Sequence, residues 1–194
     1  DLPSASSYGS LQYLGDRHQG VLYTTASLEP RFALWNQEDN SIVERTLVKP
    51  IQSLAISADG SALLIFHTLE DAADADSSSP FYGQWALTQV SLTDLRSNPL
   101  LLPAEPTAYS VNDDGKYGFF IMEGEELLES LDFNTLLPTT VELPSLPVYL
   151  GTLPGTGTAY VSQAYDLGRI SFYDASTGGF DTITGFELNS GISH

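Results

Sequence analysis

The sequence predicts an all-β fold, a β-propeller made of about four four-stranded antiparallel blades. Three observations carry that expectation. Helical periodicity is nearly absent, while short alternating or apolar runs bounded by Gly, Pro, Asn and Asp are frequent. A strand-turn-strand phrase with a glycine turn recurs four times. Two further strand-like runs come after each copy, which gives the four strands per roughly 40–45 residues of a propeller blade.

Each copy is readable in order. Blade one, 9–49, has strand-like runs around Leu11, at Gly20-Val21-Leu22-Tyr23, at Phe32-Ala33-Leu34-Trp35, and from Ile42 to Val48. Blade two, 50–105, opens on Ile51, turns at Asp59-Gly60 and returns as Leu63-Leu64-Ile65-Phe66, then has runs from Trp85 and at Leu100-Leu101-Leu102. Blade three, 106–146, repeats this with the turn Asp114-Gly115, then Leu128 to Phe133 and Thr139 to Leu143. Blade four, 147–191, turns through Pro154-Gly155-Thr156-Gly157 and continues with Gly168 to Asp174 and Phe180 to Phe186. Asp-Gly suits these turns because Gly accepts positive φ and Asp tolerates a tight bend. Pro50, Pro103, Pro106, Pro144 and Pro147 punctuate the copies, where strand pairing should stop.

Aligned on Gly20, Gly60, Gly115 and Gly157, the copies are spaced by 40, 55 and 42 residues. The long interval contains an insertion, 70–83, acidic and rich in small residues, between the second and third strands of blade two. The chain thus reads as one propeller domain, 1–194. The one helix-like run, Glu125 to Leu131, is short and enters the turn-like Asp132-Phe133-Asn134. A β-sandwich is the other all-β reading, but sandwiches seldom repeat a four-strand unit at one interval.

Several phrases resemble YVTN/WD40-like bacterial β-propeller repeats. Ala159-Tyr160-Val161-Ser162 is similar to the tyrosine-valine-threonine-asparagine phrase of those repeats. Gly168 to Asp174, Thr177-Gly178 and Thr182-Ile183-Thr184 are similar to the strand, turn and strand that come next in such a repeat. Ser57-Ala58-Asp59-Gly60 and Asn112-Asp113-Asp114-Gly115 resemble its corner. The Gly-His/Trp-Asp pair of eukaryotic WD40 repeats is missing, since Trp35 precedes Asn36 and Trp85 precedes Ala86. Four blades are also fewer than the six to eight usual in the family. An open arc would leave two apolar blade faces wet. The expectation is therefore a compact four-bladed closure, a fragment of a longer propeller, or a homodimer pairing two four-blade arcs.

Composition removes several functions. Asp and Glu number 25 against 7 Lys and Arg, a formal charge of −18, so nucleic acid and anionic membrane surfaces are repelled. No apolar run approaches the ~20 residues of a membrane span. The absence of cysteine excludes disulfides, thiolate nucleophiles and iron–sulfur clusters. Together with few lysines and many Ser and Thr, it favours an extracytoplasmic location: periplasm, cell surface or secreted. The start, Asp1-Leu2-Pro3 without Met, reads as a processed or excised product.

Catalytic patterns are missing: no G-x-S-x-G, H-E-x-x-H or S-x-x-K occurs. Of the three histidines, His18 sits in a turn and His194 at the last position, while His67 reads as a strand-end residue with a local hydrogen bond. Asp71, Asp74 and Asp76, with Glu70, form a hard-oxygen cluster that calcium could use, but the EF-hand Gly and Glu are missing and a solvated acidic loop fits the same residues. No other cofactor is expected. Phe81, Tyr82 and Trp85 come just after the acidic stretch and are candidate anchors for a partner, which the adjacent charge would make basic. Trp85 could equally begin the next strand and pack inward.

The leading expectation is a non-catalytic β-propeller scaffold that binds a protein or ligand. The alternatives are a metal-dependent lactonase- or hydrolase-like propeller enzyme, with carboxylates such as Asp16, Asp59 and Asp114 recurring from the corner turns, or a structural part of a longer propeller.

Overall fold

The computed structural model describes residues 8–14 and 17–185. These form sixteen strands in four four-stranded antiparallel sheets, each joined in simple meander order. Blade one holds β1 (Ser10–Tyr13), β2 (Gln19–Tyr23), β3 (Arg31–Asn36) and β4 (Ile42–Thr46). Blade two holds β5 (Ile51–Ile56), β6 (Ala62–His67), β7 (Trp85–Ser91) and β8 (Ser97–Leu102). Blade three holds β9 (Pro106–Val111), β10 (Tyr117–Met122), β11 (Leu127–Asp132) and β12 (Leu137–Glu142). Blade four holds β13 (Pro147–Thr152), β14 (Thr158–Gln163), β15 (Arg169–Asp174) and β16 (Gly179–Thr184). Phe186, the last residue of the expected final run, and the rest of blade four to 191 lie outside the described residues, as do Asp16 and His194.

Position within a blade explains the sequence patterns. The second strand is the most buried, and all six residues of β6 are inaccessible. Such a strand is covered on both faces, so it reads as a continuous apolar run. The fourth strands are exposed edges: β4 and β12 are open along most of their length. Pro99 and Pro138 sit in fourth strands, while Pro106 and Pro147 open first strands. All four prolines thus lie on edge strands, where a missing N–H costs least.

The chain divides into two compact units, Asp1–Pro103 and Ala104–His194. The first holds blades one and two, whose core joins Val21, Phe32 and Leu34 to Leu63, Ile65 and Val90. The second holds blades three and four, with Phe119, Ile121 and Leu128 packed on Leu150, Ala159 and Val161. Each large side chain here contributes about 2 kcal/mol of transfer free energy.

The corner turns correct one expectation. The bonds Leu14 N→Gln19 O, Ser57 N→Ala62 O, Asn112 N→Tyr117 O and Leu153 N→Thr158 O close equivalent hairpins. Counting from them, Gly60 and Gly115 coincide, both with positive φ. Their counterparts are Arg17 and Thr156, not Gly20 and Gly157. Blade four uses a different turn, with Pro154 before Gly155 at φ 72°. Gly20 lies inside β2, where a Cβ would come within 2.5 Å of Leu11 Cδ1. Gly157 lies against the Tyr117 ring, 3.2 Å from where a Cβ would stand. Close packing, rather than a turn, explains both glycines.

Candidate functional site

The insertion in blade two connects β6 to β7 and is a chain of tight turns. Ala75 N→Ala72 O, Ser79 N→Asp76 O, Tyr82 N→Ser79 O and Gln84 N→Phe81 O succeed one another along it. Asp76 accepts from the Ser78 amide at 2.8 Å and hydroxyl at 2.7 Å. The Ser78 hydroxyl and then its amide hold the Asp76 carboxyl below the usual carboxylate range. Gly83 N donates to Asp71 Oδ2 at 2.7 Å, which ties the two ends of the loop together.

Lys49, between β4 and β5, fastens this loop from beneath. Its side chain is 1% exposed, and Nζ lies 2.7 Å from Asp71 Oδ1. The same ammonium donates to Leu69 O at 3.0 Å and Phe81 O at 3.2 Å. Three donors meet three acceptors, the satisfaction a buried ammonium requires. Nothing in the local sequence marks Lys49 for this role, because its partners lie 20 to 32 positions away.

Two hollows adjoin the loop within this unit. One, of about 290 Å³, is lined by Val48, Asp71, Asp74, Asp76, Ser79 and Tyr82 among others. The second, of about 540 Å³, lies between Leu28, Glu29, Arg31, Thr46, Ala73 and Asp74. Arg31 pairs with Glu29 at 2.6 Å and Glu44 at 3.5 Å. Lys49 neutralises Asp71, so Asp74 and Asp76 leave the first hollow acidic.

The aromatic candidates separate. Tyr82 is 47% exposed on the rim of the first hollow. Phe81 is half-buried, and its carbonyl is held by Lys49. Trp85 is the half-buried first residue of β7, paired with Leu102. The three aspartates separate as well: Asp71 is bound to Lys49, Asp76 caps its own turn, and Asp74 faces both hollows. Among the described residues, no three His, Asp or Glu side chains are gathered as a metal site.

His67 is fully buried. Nδ1 lies 3.1 Å from Pro50 O, and Nε2 lies 2.8 Å from Thr88 Oγ1. Burial is the main cause that pushes its pKa down to about 4, so it is a neutral structural group. Asp59 and Asp114 brace the corners: Asp59 accepts from Ser57 and Ser61, and Asp114 from Asn112 and Lys116. In the second unit a hollow of about 600 Å³ is lined by Glu125, Glu126, Leu127, Glu142, Leu143 and Leu146.

No protein-family model and no curated protein matches the sequence. Solved structures do match. The chain superposes on the β-propeller domain of the trilobed protease from Pyrococcus furiosus with a TM-score of 0.57 and 11% identity, covering 91% of this chain and 56% of that one. The chain is a β-propeller. A hypothetical selenium-binding protein from Sulfolobus tokodaii matches at a TM-score of 0.53 and 13% identity, over 93% of the propeller and 55% of its own length. The tricorn protease matches at 0.53 and 11% identity, over 85% of the propeller and 15% of that chain. The propeller spans about half the length of the first two of these structures. At these identities the likeness concerns the fold alone.

Proposed function

We propose that this propeller is a non-catalytic, extracytoplasmic scaffold that presents the 70–83 loop of blade two to a basic protein partner. The anchorage of that loop supports the reading most directly. A buried Lys49 holds Asp71 and the Phe81 carbonyl, so Tyr82 is displayed on a rigid mount beside an acidic hollow. Preorganised aromatic side chains make efficient binding anchors because little freedom is lost on docking. The net charge of −18 steers cationic partners toward the surface. Lack of cysteine and scarcity of lysine favour a location outside the cytoplasm. The corner chemistry of Asp59-Gly60 and Asp114-Gly115 supports repeats of the YVTN type. The metal-dependent hydrolase reading draws no support from the corner carboxylates, since Asp59 and Asp114 are occupied in their turns.

A short Lys- and Arg-rich peptide carrying one aromatic residue is the probe. Isotope-edited NMR of the whole chain should show shifts concentrated in 70–83, weakening as salt is added. Tyr82→Ala and Asp74→Asn should each weaken binding by about 5- to 10-fold. Binding that ignores both substitutions would overturn the proposal.

A further inference from the structure

The two hollows beside the 70–83 loop are neighbours within the first unit. Pro30, Ala72 and Asp74 line both, so one short ridge divides them. The other carboxylates around the pair are already committed. Asp71 is held by Lys49, and Asp76 accepts from Ser78. Glu29 accepts from Arg31 Nε at 2.9 Å, and Glu44 lies 3.5 Å from Arg31 Nη1. The Tyr8 hydroxyl also donates to Glu44, at 2.7 Å. Asp74, on the ridge, has neither a hydrogen bond nor an ion pair among the described residues.

The two hollows differ in what they suit. The first, of about 290 Å³, combines the uncommitted Asp74 with Asp76 and with Tyr82 on its rim. A carboxylate without a counter-ion beside an aromatic ring attracts a cation. The second, of about 540 Å³, falls within the roughly 300–1,000 Å³ of ligand pockets. Its charged wall is satisfied from within, because Arg31 is engaged by Glu29 and Glu44. The rest of that lining is mainly Leu28, Pro30, Ala72 and Ala73, and Leu28 is 42% exposed. Apolar groups in a concavity gain most from an apolar side chain that displaces water.

We infer that the basic partner is read at two points of one extended segment: a Lys or Arg on Asp74 in the first hollow and, two residues away, a bulky aliphatic side chain in the second. Residues i and i+2 of an extended chain point the same way, roughly 6–7 Å apart, which suits adjoining hollows. The inference rests on the proposed role of the 70–83 loop and adds a pocket wall from outside it, the turn between β2 and β3 that carries Leu28 and Pro30. A net charge of −18 attracts any basic segment, and the apolar hollow selects among them.

Three capped peptides test this: Leu-Ser-Lys-Ser-Leu, which presents the motif in both chain directions, Ala-Ser-Lys-Ser-Ala and Leu-Ser-Gln-Ser-Leu. Isotope-edited NMR of the whole chain gives affinities at millimolar peptide. The Leu-Lys peptide should bind about 10-fold more tightly than the Ala-Lys peptide, as burial of one leucine supplies. Amides of Leu28 and Thr46 should shift only with the former. Salt should weaken both Lys peptides and leave their ratio unchanged, since the ratio is hydrophobic in origin. Ala73→Phe, which fills the second hollow from an exposed position, and Leu28→Ser, which removes its wall, should bring the two Lys peptides to equal affinity. Thermal melting of both variants checks that they are folded. Equal affinity of the two Lys peptides for the unaltered chain, with 70–83 still shifting, would overturn the motif and leave the loop reading standing. A ratio that survives both substitutions, or a Gln peptide bound as tightly as its Lys counterpart, would also overturn it. No shift in 70–83 with either Lys peptide would overturn the motif and the loop reading together.

Discussion

Gln163 does in blade four what His67 does in blade two. Each is the last residue of its second strand and reaches a hydroxyl on the third strand: His67 Nε2 to Thr88 Oγ1 at 2.8 Å, Gln163 Nε2 to Ser171 Oγ at 2.6 Å. The registers Ile65↔Thr88 and Val161↔Ser171 place the two hydroxyls identically. Each also ties down the approach to its blade, His67 through Pro50 O and Gln163 Oε1 through the Ser145 amide. The two residues satisfy one buried position with different chemistry.

That equivalence makes the pH response of the fold testable. His67 has its pKa pushed down to about 4, chiefly by burial, from an ordinary 6.5. Below 6.5 the unfolded chain binds a proton that the folded chain refuses, so this stability is full above 6.5 and lost as pH falls toward 4. Linkage puts the loss at roughly 2–3 kcal/mol. His67→Gln should fold with a similar urea midpoint at pH 7 and lose less stability between pH 6.5 and 4. Equal acid sensitivity in the two proteins would show that His67 is not the titrating group.

The Lys49–Asp71 pair should carry the order of the 70–83 loop. Lys49→Met leaves Asp71 and two carbonyls without their cation and should cost about 3–5 kcal/mol. Asp71→Asn should also destabilise, and the double variant should lose less than the sum of the two. Denaturant titration measures the coupling, and limited proteolysis should find the loop cut faster in each single variant.

Gly60→Ala should be costly for two reasons at one position. Its φ of 69° is unfavourable for a side chain, and a Cβ would meet Arg17 Cδ at 3.1 Å. A loss of about 1–2 kcal/mol is expected. Thermal melting against Gly124→Ala, which shares a positive φ but has open space around it, separates crowding from backbone strain.

Calcium at millimolar concentration should leave the melting midpoint unchanged. Asp71 already has Lys49 as its counter-ion, and Asp76 is spent on Ser78. Isothermal calorimetry should find no site that Asp74→Asn removes.

The blade pattern is readable from residue order because it is local. Alternation, Asp-Gly turns and edge prolines act within a few residues, so all sixteen strands can be anticipated near their observed places. Aligning the copies on glycine fails at Gly20 and Gly157, because a glycine placed for close packing reads like one placed for a turn. Leu11 over Gly20 and Tyr117 over Gly157 distinguish the two, and in each case the neighbour is distant in sequence. Of the candidate contact residues, Tyr82 is readable as an exposed aromatic beside acidic sequence, but its mount is not. Lys49 meets Asp71 only after β5 and β6 have folded between them, so pairing chemistry identical to that of a surface lysine becomes a buried anchor. Residue order thus suffices for the strands and for the sign of the charge. Packing between blades selects which apolar residues become core and which, like Tyr149 and Leu11, stay open, since burial depends on the neighbouring blade and not on the residue.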